Sequence, residues 1–168
     1  MQVLRSLYVL RHAKSSRDDP GLGDHARPLS RRGERAARDM AAHLSREAVM
    51  PDLVLCSTAR RARQTLGELS LASEVRYEHG LYGAGPTELL ARLRCLPDDV
   101  GSLMLVGHNP GLQELAVSLA GHGDALLLAR LRDKLPTGAL VKLTFHGPWA
   151  SLGQVDATLE AMVRPQDL

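Results

Sequence analysis

The chain has 168 residues, a net charge of +2, 44% apolar, 24% charged and 3% aromatic residues, as expected for one soluble globular domain over 1–168. So few aromatics leave no stacking platforms for single-stranded nucleic acid, and no apolar stretch is long enough for a membrane span. Two cysteines, Cys56 and Cys95, make neither a disulfide framework nor a zinc motif; with no signal peptide in view, they are expected as reduced thiols in a cytoplasmic protein.

Leu7–Leu10 is a short apolar run that stops abruptly at Arg11-His12, the pattern of a buried strand with polar residues at its carboxyl end. Residues 13–29 hold prolines, glycines and several Asp and Ser, and read as a loop. Ser30 is placed to cap a helix running to about Arg46, with Leu29, Ala36, Ala37, Met40, Ala41 and Leu44 at helical spacing. Asp52–Cys56 is a second buried strand, followed by a helix over about 59–71 capped by Ser57 or Thr58. Glu74–Tyr77 is a third short strand. Pro86 suits the first turn of a helix reaching about Leu96. Ser102–Val106 is a fourth strand between glycines, and Pro110 opens a helix to about Ala120. Residues 122–135 read as a loop plus a short helix. Ala139–Phe145 and Gln154–Met162 alternate and form a terminal strand pair joined around Gly147-Pro148. Strands alternating with helices predict an α/β fold, a three-layer α/β/α sandwich with a mainly parallel central sheet.

Three segments follow predicted strands at their carboxyl ends: Arg11-His12, Ser57 to Arg63, and Gly107 to Pro110. In open α/β sheets that edge is where ligands bind. Together they bring two histidines and at least two arginines to one pocket. Arginine matches phosphoryl oxygens in geometry and charge. A neutral imidazole can attack phosphorus and hold the phosphoryl group until water removes it, and neighbouring arginines disfavour its protonation. The helix opening at Pro110 adds an amino-terminal dipole. Arginine clusters at 27–38 and 60–63 suit an anionic ligand better than a long nucleic-acid groove. His25, His43, His79, His122 and His146 lack metal-ligand spacing and read as scattered surface positions.

The segments LYVLRHAKSS, CSTARRARQT and LVGHNPGL, with RPLSRRGERAA and LPTGALVKLTF, resemble the histidine phosphatase (phosphoglycerate-mutase-like) superfamily, most closely its short SixA-type phosphohistidine phosphatase branch. The resemblance spans roughly residues 5–146. It implies a phosphoglycerate-mutase-like fold and a metal-independent phosphatase that needs no cofactor. His12 matches the nucleophile, Arg11 and Arg60 the phosphate-clamping arginines, and His108 the second histidine. Ala13 and Lys14-Ser15 depart from the usual glycine and Glu-Ser, which makes Lys14 and Ser15 candidates for the pocket mouth. For the general acid the resemblance points to Glu78 just past the third strand, to Asp18, Asp19 or Asp24 of the first loop, or to no dedicated carboxylate. The insertions that roof larger relatives are missing. This favours a phosphorylated protein, through its phosphohistidine, as substrate; a small phosphometabolite is the second choice and a non-catalytic phosphate-binding protein the third.

Overall fold

The protein is described here from a computed structural model covering residues 2–168. Strands β1 (Leu4–Arg11), β2 (Leu53–Ser57), β3 (Glu74–Glu78), β4 (Ser102–Gly107), β5 (Ala120–Gly123), β6 (Leu140–His146) and β7 (Ala157–Val163) form one sheet in the order β3-β2-β4-β1-β6-β7-β5. The β3-β2-β4-β1 half is parallel throughout. β6 runs antiparallel to both β1 and β7, and β5 pairs parallel with β7. Among the described residues β6 is therefore the one reversed strand.

The helices are α1 (Arg31–Arg46), α2 (Arg60–Leu69), α3 (Pro86–Arg94), α4 (Gly111–Leu119) and α5 (Ala125–Asp133). Strand alternation divides them into two layers. Leu7, Val9, Leu53, Leu55, Leu103 and Leu105 share a core with Leu89, Leu93, Leu112, Leu115 and Leu131 of α3, α4 and α5. Their chain neighbours Tyr8, Leu10, Val54, Cys56, Met104 and Val106 pack with Met40, Leu44, Leu66 and Leu69 of α1 and α2. Successive side chains of a strand point to opposite faces, so strands covered on both sides are apolar at every position. Leu105 is 1% exposed, and truncating it to Ala would cost about 2–5 kcal/mol.

Two glycines let helices reach the carboxyl edge of the sheet. A Cβ at Gly33 would stand 2.1 Å from the Lys14 carbonyl oxygen, and one at Gly111 would stand 2.1 Å from that of Ala84. Ser30 accepts the Gly33 N–H at 3.0 Å as the α1 cap, and its own N–H donates to the Lys14 carbonyl at 2.9 Å. The chain leaving β1 is thereby pinned to the start of α1.

Three sequence readings change. β1 begins at Leu4 because Arg5 is buried inside it, donating to the carbonyls of Gly147 (2.8 Å) and Asp98 (2.7 Å); its charge hid the strand start. Residues 122–135 hold the end of edge strand β5 and the helix α5, capped by Asp124 Oδ1 accepting from Leu126 and Leu127. β5 has the sequence AGHG, which carries no strand pattern and exists through its pairing with β7. Finally, β7 starts at Ala157, not Gln154, because a short turn, Trp149–Ser151, intervenes and buries Trp149 edge-on against Phe145.

Candidate active site

His12 directly follows β1. Its N–H donates to the Gly107 carbonyl at 3.0 Å, and its own carbonyl accepts from Gly138 at 2.9 Å, so its backbone is clamped between the chain leaving β4 and the chain entering β6. Ala13 donates to Thr65 Oγ1 at 3.0 Å, which ties the same turn to α2. The imidazole Nδ1 lies 2.7 Å from the Ala13 carbonyl oxygen. A carbonyl only accepts, so Nδ1 carries the proton and Nε2 keeps its lone pair. Arg61 Nε–H donates to that Nε2 at 3.3 Å.

Arg61 sits in the first turn of α2 and is 7% exposed. Its Nη1 donates to the Asp24 carbonyl at 2.7 Å, and its Nη2 to Asp24 Oδ2 at 3.0 Å and to His108 Nδ1 at 3.4 Å. His108 therefore donates from Nε2 to Ser57 Oγ at 2.7 Å. The two imidazoles lie 5.1 Å apart between ring centres, with one guanidinium hydrogen-bonded to both. A cationic guanidinium donor beside a fixed lone pair is suited to an oxyanion placed against a nitrogen nucleophile.

Burial pushes the His12 imidazole down to about 3; the charges of His108, Arg61 and Arg11 act the same way, against the bond to Ala13. Burial likewise lowers His108 to about 4, helped by Arg61 and opposed by Asp24. Both rings are neutral near pH 7. Asp24 is held at about 2 by the Tyr82 hydroxyl, which donates to Oδ2, and by Arg61 and Arg27.

The structure brings His12, His108 and Arg11 to this edge. Arg11 donates from Nη1 to the Leu135 carbonyl at 3.0 Å, has a buried Nε without a hydrogen-bond partner among the described residues, and lies close enough to lower both histidines. Arg60 is elsewhere. It is exposed and lines a hollow of about 560 Å³ with His25, Thr58 and Tyr77, while its neighbour Arg61 takes the inward place. The reason is helix phase: Arg61 shares a stripe with Thr65 and Leu69, whereas Arg60 shares one with Gln64, Gly67 and Glu68. That pattern was present in the sequence. Glu78 is engaged instead in a bidentate pair with Arg92 of α3 at 2.7 and 2.8 Å that lowers its pKa. Of the first-loop carboxylates, Asp24 is the one at the site. Asp19 accepts from Gly21 N–H within its own loop, and Asp18 is exposed. Ser15 accepts a hydrogen bond from Arg27, and the exposed Lys14 lines a different hollow together with Arg11.

Sequence reasoning missed the rim. Tyr82 stands edge-on to His25 (4.8 Å) and His108 (5.5 Å), and Thr58 Oγ1 joins His25 Nε2 (2.9 Å) to His79 Nδ1 (3.1 Å). His25 and His79 are thus assembled around the site rather than scattered, but by long-range packing that leaves no local pattern. Among the described residues no group of His, Cys, Asp and Glu could hold a metal, and no helix is long and apolar enough to cross a membrane.

The pattern of the histidine phosphatase superfamily (branch 1) matches residues 7–82. A solved structure from Nakamurella multipartitia, provisionally named phosphohistidine phosphatase SixA, is 33% identical, with a TM-score of 0.86 over 96% of both chains. Its counterpart from Agrobacterium tumefaciens, named with the same reserve, is 30% identical, with a TM-score of 0.80 over 96% of this chain and 98% of that one. The uncharacterized protein MT1313 of Mycobacterium tuberculosis is 40% identical over 145 residues, 85% of this chain and 91% of its own. The chain belongs to the histidine phosphatase superfamily, in its short SixA-like branch.

Proposed function

We propose that the protein is a phosphatase that forms a covalent phosphohistidine on His12 Nε2. The observation that carries this is the fixed tautomer: Nδ1–H is held by the Ala13 carbonyl, and the Nε2 lone pair faces the Arg61 guanidinium. Arg61 Nε–H donates to that lone pair at 3.3 Å. An incoming phosphoryl group takes over the guanidinium and frees Nε2 to attack phosphorus in line. The bond to the leaving group breaks with its electron pair as the P–N bond forms. The doubly substituted ring is then cationic, and the Ala13 carbonyl bond stabilises it. Water next attacks phosphorus, inorganic phosphate departs, and the electron pair returns to Nε2. Arg61 and Arg11 carry the charge stabilisation in both steps, so the mechanism requires no metal.

The proposed substrate is a phosphohistidine on a protein. Asp24, the carboxylate at the site, is held ionised and is not a ready proton donor. An alkoxide leaving group needs such a donor, whereas imidazole departs as a neutral molecule once its other nitrogen is protonated. The Asp24 side chain is 53% exposed, so the site is open enough for a side chain presented by another protein. The names of the two similar structures agree with this reading. The test is reaction with 32P-labelled substrate quenched in alkaline SDS, followed by kcat/KM on a phosphohistidine protein and on small phosphomonoesters. Base-stable label on wild type but not on His12→Ala, with the phosphohistidine protein preferred, is expected. Equal labelling of His12→Ala overturns the nucleophile, and a preference for small phosphomonoesters overturns the substrate.

A further inference from the structure

A hollow of about 750 Å³ is lined by Arg11 but not by His12, Arg61 or His108. Arg11 and Lys14 enter it from the chain around the end of β1, Arg32 and Arg35 from α1, and Arg130 and Lys134 from α5 and the residue after it. Among the described residues none of these six makes an ion pair. A seventh cation, Arg164, is tied to Asp167. Asp39 and Asp133 are the two carboxylates in the lining. The hollow thus gathers a positive excess larger than the net +2 of the whole chain, leaving the rest of the surface net negative.

Cations delivered from separate elements into one concavity repel each other, and low-dielectric walls focus their field. That arrangement is destabilising without an anion and favourable with one. A volume of this size lies within the usual range for small-molecule sites, roughly 300–1,000 Å³. The lining holds no aromatic side chain, so it offers no platform for a nucleobase. One orthophosphate would meet only a fraction of the six charges. We infer that this hollow is a second anion site, for a small molecule carrying several phosphoryl groups on one chain or ring, separate from the phosphoryl group handled at His12. Arg11 borders both places, and among the described residues its buried Nε has no partner. An occupant therefore draws on a charge that the His12 pocket also uses, and it raises KM there.

The inference stands without the proposed reaction, because its first readout is binding. The probe is bismethylene triphosphate, which does not hydrolyse, titrated calorimetrically into the full chain. One molecule is expected to bind at least tenfold tighter than orthophosphate. Arg35→Glu and Arg130→Glu, both at exposed positions, are each expected to weaken it tenfold or more, with p-nitrophenyl phosphate turnover staying within twofold when the probe is absent. Arg61→Ala is expected to leave probe binding within threefold. In wild type the probe should raise KM for p-nitrophenyl phosphate at constant kcat, and in Arg130→Glu it should not. Loss of binding in Arg61→Ala but not in Arg35→Glu would place the probe in the His12 pocket and overturn the second site. So would binding no tighter than orthophosphate. A polyglutamate peptide binding as tightly as the probe would instead assign the hollow to acidic proteins.

Discussion

Around His12 the charges of Arg61 and Asp24 answer each other. Arg61 divides its N–H groups among Asp24 and two imidazoles, Asp24 also receives Tyr82, and both histidines shed their protons. In the hollow beyond Arg11, six cations face two carboxylates and make no ion pair among the described residues. The two regions are built from neighbouring stretches of chain, and burial separates them. A guanidinium at 7% exposure has lost its water and must find protein partners, while the exposed Arg32, Arg35 and Arg130 keep theirs. The comparison shows how one sheet edge holds a preorganised pocket with fixed tautomers beside a surface that waits for its counter-charge.

The comparison breaks most visibly at the nucleophile. His12→Ala should abolish turnover, by about a thousandfold or more, since a residue that acts as part of a covalent unit cannot be spared. An assay on p-nitrophenyl phosphate measures this directly. The next largest effect contrasts two adjacent residues. Arg61→Ala should lower kcat/KM by about 10²–10³ through loss of a preorganised donor, whereas Arg60→Ala should stay within threefold. Comparable losses for both would mean that the helix phase described above is not the one that matters in solution.

Glu78→Gln should leave kcat/KM within threefold on phosphohistidine and phosphomonoester substrates alike, because its carboxylate is engaged by Arg92. Its thermodynamic cost, read from urea unfolding, should be about 1 kcal/mol or less, as for other partly exposed ion pairs. Asp24→Asn tests the opposite side of the site. It removes the charge that opposes the lowering of His108 and frees Arg61, so it should change KM for anionic substrates more than Glu78→Gln does.

The smallest effect expected is in pH-dependent stability. His12 and His108 have folded-state pKa values of about 3 and 4, below the ordinary histidine value. As pH falls through about 6.5 the unfolded chain takes up these protons first. Stability is therefore full above that pH and declines as pH drops toward the folded values. The melting temperature of wild type should fall between pH 7 and 4.5, and that of His12→Phe should fall less steeply over the same range. A steeper fall in the variant would show that the ring is not held neutral by burial.

The parts of the molecule legible from sequence were those whose physics is local. Leu7–Leu10, Asp52–Cys56 and Ser102–Val106 advertise buried strands because both faces of a covered parallel sheet must be apolar. The abrupt polar residues after the first and last of them placed His12 and His108 at one edge. Ser30 marked the start of α1 through capping chemistry. The choice between Arg60 and Arg61 also lay in the sequence, in the stripe that joins Arg61 to Thr65 and Leu69. What tertiary structure alone decided was contact across long separations: Asp24 to Arg61, Tyr82 to Asp24, Arg92 to Glu78, β5 to β7, and the meeting of α1, α5 and the chain after β7 around one charged hollow. Side-chain type and spacing encode which face of an element is buried. They do not encode which distant polar group will share a given burial site, because that depends on how whole layers pack.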